Sequence, residues 1–110
     1  MTAFALFIGG NLTYGDPDLG EYQGAKEFYN FLRGFSGSGN RFIDPNTGDS
    51  TKYAVPGDPV NGSGWYMGEG WPGGPSELDS RMLSSTGDFD FEPGDTQTVI
   101  YSMQIEQGND

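Results

Sequence analysis

The N-terminal apolar run constrains the fold more than any other feature of this sequence. Residues 2–8 read TAFALFI and are followed by two glycines, which predicts a strand that is apolar on both faces. Such a strand must be covered on both sides. It is expected either as a central strand of its own domain or as a strand lying in a groove of a neighbouring copy, as in β-strand addition. The second alternative makes four residues candidates for an assembly strand: Phe4, Leu6, Phe7 and Ile8.

One segment has clear helical periodicity. The pattern predicts a helix over residues 21–33, with Asp18 as N-cap, Glu21 in a capping box, and Gly34 as the left-handed stop. The apolar stripe along this helix is expected to pack as core against a sheet, in preference to binding a ligand. Its members are Tyr22, Ala25, Phe28, Tyr29, Leu32 and Phe35.

The rest of the chain is typical of a mainly β protein. Nineteen glycines and seven prolines indicate many turns and long glycine-rich loops. Short strands are expected at residues 41–43, 51–55 and 80–85. The clearest period-two pattern predicts a strand over residues 96–106, in the same sheet as the N-terminal strand. We therefore expect one domain, residues 1–110, that forms an antiparallel β sandwich or jelly-roll-like fold with one α-helix.

The charge balance limits the partners. Sixteen acidic and five basic residues give a net charge of −11. Binding to a nucleic-acid backbone or to an anionic membrane surface is therefore disfavoured. The longest apolar run, residues 3–8, is too short to cross a bilayer. Cations such as Ca²⁺ and neutral glycans remain open as partners, beside the alternative that the charge only provides solubility.

Several kinds of chemistry are excluded by composition. The chain contains no cysteine and no histidine, so thiol catalysis, histidine bases and Cys/His zinc sites are impossible. Paired carboxylates remain as a remote route to glycoside hydrolysis, with Asp58, Glu69, Glu77 and Asp79 in the loop region. The expectation is that the chain is not an enzyme and has no obligatory cofactor.

Residues 44–49, DPNTGD, form the best candidate for a metal loop. Asp44, Asn46 and Asp49 offer closely spaced oxygen atoms around a glycine, as a Ca²⁺ site requires. The loop lacks the spacing and the distal Glu of an EF-hand. The alternative, which the pattern favours, is an Asx-rich turn without a metal.

Two tryptophans six residues apart are candidates for ligand stacking. Trp65, Tyr66 and Trp71 lie among glycines, and exposed aromatic faces stack on sugar rings. Because aliphatic residues are few in this chain, the alternative that these rings fill the core is favoured.

Three short patterns match glycosylation signals. Asn11 and Asn61 each begin an Asn-x-Ser/Thr acceptor pattern. Ser50 lies within an Asp-Ser-Thr triplet that resembles the O-glycosylation signal of some Bacteroidota. All three patterns are short.

A family resemblance covers about half of the chain: its most specific part lies in the C-terminal third, and residues 4–15, 53, 56–59 and 64–65 resemble other parts of the same region. Residues 80–99, SRMLSSTGDFDFEPGDTQTV, resemble a segment of large secreted proteins of Bacteroidota and related bacteria, many of which carry a type IX secretion sorting domain. In that family the segment reads approximately R-x-L-x-S-S-G-P-F-x-L-x-P-G-D-T-Q. The present chain has an inserted Thr86, and Asp88 replaces the usual proline. The resemblance implies an extracellular or cell-surface setting and little chemistry.

Two function classes follow. The first is a non-catalytic extracellular structural module that self-assembles into a filament or surface layer through its N-terminal strand, with copies of itself or other surface proteins as partners. The second is a carbohydrate-binding module, either with or without a dependence on Ca²⁺. The path of residues 2–8 in a structure distinguishes a strand within its own domain from a strand that lies in a groove of a neighbouring copy.

Overall fold

The computed structural model describes residues 1–67 and 79–105. These residues form strand β1 (Ala3–Ile8), helix α1 (Tyr22–Leu32), strands β2 (Phe42–Ile43) and β3 (Ser50–Thr51), and strand β4 (Ser80–Ser85). The strands build two small antiparallel sheets, β1–β4 and β2–β3, and the described residues contain no closed barrel. The regular structure of the described residues is thus mostly strands with a single short helix, whereas the sandwich or jelly-roll arrangement is not confirmed.

Strand β1 is the central strand of the structure. It pairs antiparallel with β4 from Ala3 opposite Ser85 to Ile8 opposite Ser80. Its other edge meets Tyr53 in a parallel bridge, in which the Phe4 amide donates to the Lys52 carbonyl at 3.0 Å. Five of its six side chains are buried. The prediction that this strand is covered on both faces is confirmed, and its own chain provides the cover.

The core gathers around β1 and is rich in aromatic residues. Phe7 stacks on Phe31 with the ring centroids 4.9 Å apart, and Phe28 meets the Phe7 ring edge-on at 6.3 Å. Aromatic pairs in these geometries are favourable beyond the area that they bury. The buried cluster consists of Ala5, Leu6, Phe7, Ile8, Phe31, Phe42, Ala54 and Trp65.

The helix lies close to the predicted position but buries a different face. Phe31 and Gly24 are fully buried, whereas Tyr22 is 81% exposed and Tyr29 is 60% exposed. The stripe predicted as core is therefore wrong in most of its members. Gly24 explains the difference, because a Cβ at this position would lie 1.6 Å from the Asp18 carbonyl oxygen. The preceding chain crosses the helix at this glycine, which turns that side of the helix inwards.

The two predicted ends of the helix have different outcomes. No side chain caps the N-terminus, since the N-cap residue Glu21 makes no capping hydrogen bond. The predicted capping box is thus wrong, and the Asp18 amide instead donates to the Glu27 carboxylate at 3.0 Å. At the C-terminus, Gly34 has a φ of 74°, which confirms it as the left-handed stop.

The predicted C-terminal strand is not paired. Residues 96–105 belong to no strand and are exposed along their whole length. The expectation that the last strand shares a sheet with the first is therefore wrong, because β4 takes the place beside β1. A period-two pattern predicts an extended chain, but pairing also requires a free partner edge within reach.

Candidate functional site

The four residues predicted as an assembly strand lie inside their own domain. Leu6, Phe7 and Ile8 are buried and Phe4 is half-buried, all within β1. Since β1 has a neighbour on each edge, donating it to another copy would first require opening the core. These residues stabilise the fold, and the structure does not leave them available to a partner.

Residues 96–105, which the sequence predicts as part of a paired strand, are instead open to solvent. This segment, TQTVIYSMQI, carries no charge in a chain with a net charge of −11. Its large apolar side chains are open to solvent: Ile100 is 91% exposed, Tyr101 89% and Ile105 90%. We call residues 96–105 the exposed segment.

A tight turn precedes the exposed segment. The Asp95 amide donates to the Glu92 carbonyl at 3.0 Å, and the Glu92 amide donates to the Asp95 carboxylate at 3.1 Å. Gly94 has a φ of 98°, which a residue with a Cβ rarely adopts. Pro93 and Gly94 lie at the centre of this turn. The chain therefore enters the exposed segment from a fixed local geometry.

The outer edge of β4, on the side away from β1, is a surface to which an extended segment could add as a strand. Backbone hydrogen bonds join β4 to β1 on one side. Within the part of the chain that the structure describes, no backbone group of residues 81–84 bonds to a further strand. An edge of this kind presents backbone donors and acceptors to another chain. The sequence predicts the strand itself, but which of its edges is unpaired depends on the tertiary arrangement.

The two faces of β4 differ. The Ser85 hydroxyl donates to the Leu32 carbonyl of the helix at 2.6 Å, so Ser85 and the residues in phase with it face α1. Met82 lies opposite Leu6 on the other face and is 73% exposed. The face of β4 that is turned away from the helix is therefore apolar and open at Met82.

An ion pair fixes β4 to the loop before the helix. The Arg81 guanidinium donates to the Asp16 carboxylate at 2.6 Å and also contacts the Asp79 carboxylate. The hydrogen bond to Asp16 raises the pKa of Arg81 above its ordinary value, and the charges of Asp16 and then Asp79 act in the same direction. Arg81 therefore stays charged and connects one end of β4 to the loop before the helix through exposed contacts.

Trp65, the first of the two tryptophans, does not present an exposed face to a ligand. Trp65 is only 1% exposed and belongs to the core, so its faces are not available for stacking on a sugar. The alternative that this ring fills the core agrees with the structure. Tyr66 is half-buried, and Trp71 lies outside the described residues.

The candidate metal loop is an Asx turn. The Asp44 carboxylate accepts the Asn46 amide at 2.8 Å, and the Asp49 amide donates to the Thr47 hydroxyl at 3.2 Å. The Gly48 amide donates to the Asp44 carbonyl at 2.8 Å. In residues 1–67 and 79–105, no three acidic side chains cluster as a metal site would need. These hydrogen bonds close the loop through its own side chains and backbone.

Asp58, one of the loop carboxylates considered for hydrolysis, is held in a local turn. The Asp58 carboxylate accepts the Val60 amide at 2.8 Å and contacts the Asn61 side chain. The hydrogen bonds from the Asn61 side chain, the Asn61 backbone and the Val60 backbone lower the pKa of Asp58. A lowered pKa suits a structural acceptor better than a general acid. Glu69 and Glu77 lie outside the described residues.

The three glycosylation candidates lie in different settings. Asn11 is half-buried, and its side-chain oxygen accepts the amides of Thr13 and Tyr14, each at 2.8 Å. Asn61 is exposed but its amide group donates to Asp58. Ser50 is exposed in β3. The structure does not bring these residues together with any other candidate site.

Comparisons with protein-family models, curated proteins and solved structures give no match for this chain. Among the residues that the structure describes, no helix has the length and apolar character needed to span a membrane. The site must therefore be interpreted from its own geometry.

Proposed function

We propose that this chain is a non-catalytic extracellular structural module that self-assembles by adding the exposed segment of one copy to the β4 edge of another. The observation that carries the proposal is the exposed segment itself, which combines period-two spacing, full exposure and no charge. The extracellular setting rests on the resemblance of residues 80–99 to secreted surface proteins.

The local charges of the two elements allow a second copy as the occupant, despite the like net charge of the two chains. Two chains of net charge −11 repel each other at long range, and most acidic surfaces on one copy would face acids on the other. The exposed segment is uncharged, and β4 carries a single charge, the cation Arg81. Contact between these two elements therefore brings no like charges together.

Pairing of the exposed segment with the β4 edge also gives each apolar face of the segment a place to pack. An added strand would place Val99, Tyr101, Met103 and Ile105 on one face and Ile100 on the other. The four-residue face matches the open side of β4 at Met82, while Ile100 would lie on the side of Leu83. Each large apolar side chain that becomes fully buried contributes about 1.5–3 kcal/mol.

A sandwich-like second layer is part of this proposal, and we expect it between copies, where the apolar faces of widened sheets can meet.

The test compares two neighbouring substitutions on opposite faces of the exposed segment. Tyr101→Lys and Ser102→Lys add the same charge one residue apart. Sedimentation velocity over a concentration series is expected to show self-association of the parent chain and of Ser102→Lys, and a monomer for Tyr101→Lys. The association is expected to be weak, because one added strand buries an area at the small end of protein interfaces.

Two outcomes would contradict the proposal. A parent chain that stays monomeric at every concentration rules out assembly by the module alone. Equal association of both variants rules out the apolar face as the contact. Circular dichroism of each variant serves as the control, since both positions are exposed in the monomer and neither substitution should alter the fold.

A further inference from the structure

Three of the five basic residues of this acidic chain converge on one pocket. Arg33, Arg41 and Lys52 line a cavity of about 190 Å³ together with Thr2, Leu32, Phe35, Gly87 and Asp88. The bases come from the end of α1, from the residue before β2, and from the stretch beside β1. Their distance in sequence means that only the fold brings them together.

None of these three cations forms an ion pair with a described residue. The ion pairs in residues 1–67 and 79–105 all belong to Arg81, and none involves Arg33, Arg41 or Lys52. The Asp88 carboxylate lines the same pocket but makes no ion pair with them. Three cations against one carboxylate give the lining a net positive charge in a chain of net charge −11.

The walls of the pocket are built by close packing. A Cβ on Gly34 would lie 2.8 Å from the Lys52 Cβ and 2.9 Å from the Lys52 carbonyl oxygen, so the end of the helix abuts the backbone of Lys52. The Arg41 guanidinium lies 3.8 Å from the centroid of the Phe35 ring, and the Arg33 guanidinium lies 5.5 Å from it. The Phe35 ring thus orients two guanidinium groups at the same site.

Stabilisation of the helix C-terminus explains only part of this arrangement. One terminal nitrogen of Arg41, Nη1, donates to the carbonyls of Arg33 and Gly34 at 3.2 and 3.3 Å. That contact satisfies carbonyls at the end of α1. It leaves the other nitrogens of Arg41 available. The side chains of Arg33 and Lys52 donate no hydrogen bond to any described residue.

We propose that this pocket binds an oxyanion group, a carboxylate or a sulfate. Guanidinium and ammonium groups form short, charge-assisted hydrogen bonds with such groups. The cavity is smaller than the roughly 300 Å³ at which pockets for drug-sized ligands begin. The ligand therefore enters with one charged group and the few atoms next to it. This inference goes beyond the assembly proposal and does not depend on it.

The test titrates the full chain with sodium sulfate, galacturonate and galactose at constant ionic strength. Amide chemical shifts in ¹⁵N-labelled protein report on binding at Phe35, Lys52 and Gly87. Sulfate and galacturonate are expected to shift these signals, and neutral galactose is expected to leave them unchanged. Binding of sulfate alone supports the pocket with a free oxyanion as its ligand, whereas binding of both supports a carboxylate carried on a sugar.

Matched variants separate the pocket from general electrostatics. Lys52→Gln and Arg33→Gln are expected to weaken binding about tenfold each, as the loss of one charge-assisted hydrogen bond implies. Lys26→Gln removes the same charge near Tyr22 on α1, outside the pocket, and is expected to bind like the parent chain. The proposal is overturned if neither anion shifts the signals, if galactose shifts them equally, or if Lys26→Gln weakens binding as much as Lys52→Gln.

Discussion

Strand β1 and the exposed segment are both short, uncharged and contain large apolar side chains, but they have opposite surroundings. β1 is apolar on both faces, whereas apolar and polar residues alternate along much of the exposed segment. β1 has a neighbour on each edge and contributes to the core, whereas residues 96–105 have neither a paired edge nor cover. The difference teaches that propensity decides whether a chain is extended, and that the available edges decide whether it is paired.

The largest expected contrast lies in folding stability. Phe7→Ala removes a ring that stacks on Phe31 in the core and is expected to lower the free energy of unfolding by about 3–5 kcal/mol. Tyr101→Ala removes an exposed ring and is expected to change the free energy of unfolding by less than about 0.5 kcal/mol. Urea denaturation followed by circular dichroism measures both. Similar losses for the two variants would show that the exposed segment packs on the core in solution.

Two glycines with positive φ sharpen the comparison. Gly34 and Gly94 have φ values of 74° and 98°, and a Cβ meets the Lys52 backbone at Gly34 but nothing within 4 Å at Gly94. Left-handed backbone costs a residue with a Cβ about 1–2 kcal/mol. Gly34→Ala adds a steric clash to that cost and is therefore expected to lower the melting temperature more than Gly94→Ala does. The reverse order would mean that the turn before the exposed segment stabilises the fold.

Salt is expected to strengthen self-association through the exposed segment. Raising sodium chloride from about 0.1 M to about 1 M shortens the screening length from about 10 Å to about 3 Å. Repulsion between two chains of net charge −11 then weakens, so self-association through the exposed segment is expected to strengthen severalfold. Sedimentation equilibrium at several salt concentrations measures this. Association that weakens with salt would indicate a contact through opposite charges instead.

The smallest expected effect concerns the ion pair on β4. Arg81→Gln removes the contacts with Asp16 and Asp79, all of which are well exposed. Exposed ion pairs contribute little to stability. The variant is therefore expected to lose less stability in urea than Gly34→Ala does. A larger loss would show that this pair holds β4 on β1.

The sequence predicts the parts of the fold that depend on local patterns. The bounds of β4 agree with those predicted, β1 begins one residue later, and α1 is one residue shorter at each end. Gly34 ends the helix because a left-handed residue there needs no Cβ. In each case the signal lies within the element or next to it.

The sequence does not predict what depends on distant neighbours. The buried face of α1 is set by the crossing of Asp18 over Gly24, which helical periodicity does not contain. The exposed segment lacks a partner because β4 occupies the edge of β1. The pocket of Arg33, Arg41 and Lys52 joins residues that no motif connects. These features require the tertiary arrangement, and both proposed sites depend on them.

Hydrogen–deuterium exchange at two protein concentrations tests the central contrast most directly. The amides of β1 are expected to be protected at both concentrations, because they lie in a buried ladder. The amides of residues 98–105 are expected to exchange rapidly in the dilute sample and to become protected in the concentrated one, as a strand that pairs with a second copy requires. Protection of residues 98–105 in the dilute sample, or rapid exchange at both concentrations, would contradict the account.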